Sequence, residues 1–159
     1  MKKVLEVIVA LSVIALAACS KKHGYAVTHS VVQDNNQDSL VGMDAVIDSV
    51  AWHTDSAYAY RVKYSGDSTR MDLYINASRR LNDTVSTIAF TIVNYTGPKN
   101  YPIDPPATAA TYYKGSERHF ATIGSINIVS DTPYSVIGTF NFTADTIVVT
   151  NGKFNVAKP

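Results

Sequence analysis

Tyr134-Ser135-Val136-Ile137-Gly138-Thr139-Phe140-Asn141-Phe142-Thr143-Ala144, followed two residues later by Ile147-Val148-Val149-Thr150-Asn151-Gly152-Lys153-Phe154-Asn155-Val156, decides the fold of this chain. Tyr134, Val136, Phe140 and Phe142 fall at even spacing, the two-residue period of a strand with one buried face. The second run returns beside the first. Asn151 and Gly152 tolerate positive φ, so they predict a bulge or tight turn inside it. Gly138 predicts a point where a neighbouring backbone approaches or the strand bends.

The same period runs upstream as far as Met43. Val46, Asp48, Val50 and Trp52 alternate with Ile47, Ser49, Ala51 and His53, which predicts a strand through residues 46–53. Tyr58, Tyr60, Val62 and Tyr64 share a face opposite Arg61 and Lys63. Met71, Leu73 and Ile75 oppose Arg70, Asp72 and Asn76, and Ile88, Phe90 and Ile92 oppose Ala89, Thr91 and Val93. Turn-forming clusters separate these runs: Ser65-Gly66-Asp67, Arg80-Leu81-Asn82-Asp83 and Thr96-Gly97-Pro98. Pro98, Pro102, Pro105 and Pro106 cannot donate to a sheet ladder, so residues 97–108 read as a crossing loop. Thr111 to Lys114 and Phe120 to Val129 supply further strands, with a bulge expected at Gly124. No amphipathic helix is signalled after the amino-terminal segment. Residues 43–159 therefore read as an all-β domain, an antiparallel β-sandwich or partly closed barrel.

Ahead of that domain, Lys2 and Lys3 precede an apolar run from Val7 to Ala18 that is short for a bilayer span. Leu16-Ala17-Ala18-Cys19 then brings small residues up to the single cysteine of the chain. This pattern resembles a bacterial lipoprotein signal peptide with its lipobox. The resemblance implies that residues 1–18 are removed and that Cys19 becomes the lipidated first residue, the chain's link to a membrane. Residues 19–42, with Lys21-Lys22-His23 and Gln33-Asp34-Asn35-Asn36-Gln37-Asp38, read as a polar tether. Ser20 is not the aspartate that holds many lipoproteins at the inner membrane, so an outer-membrane address is expected. Lys21-Lys22 stand where surface-exposed lipoproteins carry acids, which points to the periplasmic leaflet.

A second resemblance lies in the carboxy-terminal third. Ile123-Gly124-Ser125-Ile126-Asn127-Ile128, Ile137-Gly138-Thr139-Phe140-Asn141-Phe142-Thr143-Ala144 and Val148-Val149-Thr150-Asn151-Gly152-Lys153-Phe154-Asn155-Val156 resemble the closing signature of small Bacteroidetes lipoproteins, the DUF6252-like group. It extends more loosely through Tyr112-Tyr113 and Ile47-Asp48-Ser49-Val50-Ala51-Trp52. The resemblance implies a β-rich extracytoplasmic domain and brings no catalytic residue with it.

Composition narrows the chemistry. Lys and Arg total 14 against 13 Asp and Glu, and loss of Lys2, Lys3 and Glu6 with the signal leaves the two signs equal. With no basic cluster, a nucleic-acid partner is not expected. Once Cys19 is acylated no thiol remains for a disulfide, metal or nucleophile. His23, His29, His53 and His119 lack metal-ligand spacing, and no Gly-x-Ser-x-Gly elbow supports a triad. Asp44, Asp48, Asp55, Asp67, Asp72 and Asp83 read as turn and outer-face residues. The expectation is no catalytic residue, no metal and no cofactor. Ten tyrosines and one tryptophan stand out, and strands favour them as half-buried residues. Their functional reading is a ligand platform for sugars or peptides made of Trp52, Tyr101, Tyr112 and Tyr113. Asp-Ser or Asp-Thr pairs at Ser39, Ser49, Ser56, Ser68, Thr84 and Thr146 resemble the O-glycosylation acceptor of Bacteroidetes proteins. The sequence thus predicts a lipoprotein whose non-catalytic β domain serves binding or envelope structure, with an envelope protein or a glycan as partner. The rival from another class is a glycan or peptidoglycan hydrolase, which requires converging carboxylates or a nucleophile–base pair.

Overall fold

A computed structural model describes residues 42–159. The signal segment, Cys19, Ser39 and the tether up to residue 41 lie outside the described residues. Gly42, assigned to the tether by the sequence, opens the first strand. The strands are β1 (Gly42–Ile47), β2 (Val50–Thr54), β3 (Ala57–Tyr64), β4 (Asp67–Leu81), β5 (Thr84–Ile92), β6 (Asn100–Pro102), β7 (Thr108–Lys114), β8 (Glu117–Asp131), β9 (Ser135–Ala144) and β10 (Ile147–Ala157), and no helix occurs among the described residues.

Seven of these close a barrel in the order β10–β3–β4–β5–β7–β8–β9 and back to β10. Every ladder is antiparallel except one. An odd number of strands cannot alternate all the way round, so one parallel contact is forced, and it falls at Ala157 against Tyr58. The remaining strands share edges with barrel strands: β1 lies along β10 and carries β2, while β6 pairs with β8 beyond the end of β7.

The interior is packed. Leu73, Ile75, Ala77, Ile88, Phe90, Ile92, Val136, Phe140, Phe142, Val149, Phe154 and Val156 are all buried. Phe90 sits at the centre, edge-on to Phe140 at 4.9 Å and to Phe142 at 6.1 Å, the geometry that aromatic quadrupoles favour. The expected face of Val136, Phe140 and Phe142 is this core, but Tyr134 lies outside β9 and is exposed.

Three local expectations change. Residues 46–53 are not one strand but a hairpin, because Asp48 and Ser49 take φ of 47° and 68°. Two left-handed residues in a two-residue loop match the twist of the flanking strands. The proline-rich stretch contains β6, with Pro102 at an edge where a missing donor is tolerated. The slips in β8 fall between Ala121 and Ile123 and between Ile128 and Ser130, not at Gly124, which stays in register with Phe142. The bulge expected at Asn151-Gly152 is present, with the slip between Val149 and Gly152 and Asn151 at φ 53°.

Candidate ligand cleft

A cleft opens at the end of the barrel where the β1–β2 and β4–β5 hairpins turn. Here β1 and β2 stand between β10 and β4, and β2 has a ladder partner in β1 alone. Side chains bridge the gap instead: Arg79 donates to the Ala51 carbonyl at 3.1 Å and the Thr54 hydroxyl to the Ser78 carbonyl at 2.6 Å. The result is a cleft of about 420 Å³. Ile47, Val50, Trp52, Leu81 and Ile147 provide apolar wall, and Arg79, Ser86, Tyr112 and Lys114 provide polar groups.

Trp52 is 5% exposed, and its indole N–H donates to the Ser86 hydroxyl at 2.8 Å. Tyr112 lies one inward row deeper, opposite Ile88, and stacks on His119 at 6.2 Å. Burial pushes the Tyr112 phenol above its ordinary pKa, against a hydrogen bond with Ser86 that lowers it. The nearby Asp48 charge raises it further and that of Arg79 opposes. Ser86, the serine of the cleft, thus meets an indole and a phenol rather than a histidine base.

The register fixes a cross-sheet row here. Ser86 on β5 is opposite Arg79 on β4 and Lys114 on β7. The inward parity of Leu73, Ile75 and Ala77 continues to Arg79, and that of Ala110 and Tyr112 continues to Lys114. Two cations therefore take positions of inward parity at the mouth, and the next row in holds Ala77, Ile88 and Tyr112. Parity counting along β4 and β7 identifies both residues; the sequence reading followed the aromatics and passed them over.

Of the platform residues, Trp52 and Tyr112 meet in the cleft. Tyr101 is buried elsewhere, its phenol donating to the Gly97 carbonyl at 2.7 Å and its ring 5.6 Å from Tyr95. Tyr113 points to the other face of β7, with the Arg118 guanidinium 5.6 Å over its ring. The four do not make one exposed surface, because adjacent strand residues face opposite ways and three of the four are buried. A row of tyrosines lies on the outer face of β3 and β4, where Tyr60 stacks on Tyr58 at 6.1 Å and on Tyr74 at 5.0 Å. Those rings turn their faces to one another.

Ser49, Ser56, Thr84 and Thr146 are exposed in or beside turns, and Ser68 lies near the start of β4. His53 contacts Asp44, and His119 Nδ1 lies 2.9 Å from Asp145. No group of His, Cys, Asp and Glu able to hold a metal occurs among the described residues. No protein-family model, curated protein or solved structure matches the chain.

Proposed function

We propose that this chain is an outer-membrane lipoprotein, held in the periplasmic leaflet by acyl groups on Cys19 and akin to the DUF6252-like lipoproteins, whose barrel is a non-catalytic binding module. The observation that carries the binding role is the cleft: one end of a packed barrel stays open, with apolar walls and a few convergent polar groups, the usual make-up of a small-molecule site. The membrane address rests on the run from Lys2 to Cys19. Exposure of Ser49, Ser56, Thr84 and Thr146 supports O-glycosylation at those turns as a further part of the reading.

The test uses lipidated protein isolated from its own envelope, washed and denatured, with released small molecules read by mass spectrometry. A compound recovered from the native chain but not from Val50→Phe, which puts a ring into the mouth, is the expected result. Equal recovery from both, or none from either, sinks the binding role. Intact mass of the same preparation reads acyl and sugar additions directly, and a bare mass removes both modifications from the proposal.

A further inference from the structure

The row Arg79–Ser86–Lys114 sets two cations at the rim of a largely apolar cleft. Arg79 is half-buried and Lys114 exposed, and among the described residues neither belongs to an ion pair. Arg79 spends one nitrogen on the Ala51 carbonyl. Two acids lie nearby, Asp48 in the cleft lining and Glu117 on the neighbouring strand. Asp48 accepts from the Val148 backbone N–H at 2.9 Å. Glu117, opposite Lys114 in the ladder, has its carboxylate 3.7 Å from His119 Nε2 instead. Strands two apart in a sheet are separated by roughly 10 Å, so the row holds two cations around a hydroxyl, with an apolar pocket beside it.

From this arrangement we infer that the cleft takes a small amphipathic carboxylate, its head between Arg79 and Lys114 and its apolar body against Trp52, Ile47, Leu81 and Ile147. The inference rests on the cleft being a binding site and adds the ligand's chemical class. At ~30 Å³ per water-sized group the volume accommodates about a dozen non-hydrogen atoms, the size of a medium-chain acid. The guanidinium supplies planar two-point recognition of the carboxylate and the ammonium a second point charge.

Trp52, the single tryptophan of the chain, reports occupancy. Lipidated protein in nanodiscs, with empty nanodiscs as blank, is titrated with octanoate, 1-octanol and octylammonium while Trp52 emission is followed. Octanoate is expected to bind roughly fivefold or more tightly than octanol, octylammonium most weakly, and added salt to shrink the octanoate advantage. In the Arg79→Gln/Lys114→Gln variant octanoate is expected to fall to the octanol level, with octanol unchanged. Equal binding of all three ligands, or a preference that survives in the variant, overturns the carboxylate inference and leaves the cleft as a binding site. No response to any of the three overturns both. Should the variant fail to fold, the ligand-charge and salt comparisons on the native chain still decide.

Discussion

Asp131 is an acid with a 3% exposed side chain, contacted by Arg61 on β3, Lys158 beyond β10 and the Tyr95 phenol at 2.7 Å. Burial works to raise its pKa, but the hydrogen bonds from Lys158, Tyr95 and Arg61 outweigh it and hold the carboxyl below its ordinary range. Asp72 is held low in the same way: burial opposes, and the Asn94 N–H, Tyr64 and Arg70 prevail. A depressed folded-state pKa gives stability that is present above the unfolded value near ~4 and is lost as pH falls through the folded one. The urea midpoint is therefore expected to drop on acidification below about pH 4, and less steeply in Asp131→Ala. At neutral pH that variant should lose about 3 kcal/mol, since it strands two cations around an empty site. Tyr95 sets the opposite limit. Burial and then the Asp131 hydrogen bond raise its pKa, so its contribution is complete below ~10 and fades as pH rises through the raised value. Gly138 gives a steric test: a Cβ there would lie 2.4 Å from the Asn127 carbonyl oxygen and 2.5 Å from the Phe154 ring. Gly138→Ala should cost about 1–3 kcal/mol in chemical denaturation. Gly138 is where the sequence predicts a close backbone approach or a bend, and the approach is what the fold contains.

At the scale of elements, two-residue periodicity made β4, β5, β8, β9 and β10 legible, since each buries one face in a single core. It failed where a turn keeps the period. Asp48-Ser49 reverses the chain without interrupting the alternation, so the β1–β2 hairpin reads as one strand. β6 was hidden because proline argues against strands, while an edge strand of three residues tolerates it. The β3–β10 contact was out of reach for a different reason: pairing between residues about a hundred apart leaves no local pattern. That contact is also thin, a single residue pair. Removing residues 157–159 should speed hydrogen exchange throughout Ala57–Tyr64 and cost roughly 3 kcal/mol, chiefly through the lost Lys158 contact with Asp131. On the outer face of the same strand, a double-mutant cycle on Tyr60 and Tyr74 should return a coupling of about 0.5–1.5 kcal/mol from their stacked rings.

For the whole molecule, the decisive property is the difference between its two ends: one sealed by the Asp131 network, the other left open beside Trp52. The sequence reading groups Trp52 and Tyr112 with Tyr101 and Tyr113, which the folded sheet keeps apart. Only the closing of the sheet decides which rings share a space. Val50→Phe is expected to leave the unfolding midpoint within about 0.5 kcal/mol of native, because Val50 is exposed, while changing Trp52 emission. A loss of stability comparable to a core substitution would mean that the mouth is part of the packing rather than a site.

The pairing of β1 carries a further consequence. The first strand of the domain rests along β10, the strand that completes the barrel, and β3 meets its second barrel neighbour only there. Synthesis therefore leaves both of these seams unclosed until Ile147–Ala157 emerges. Until then the phenylalanine-rich interior stays uncovered, which makes the interval between delivery and closure the time when the chain most needs a holding partner.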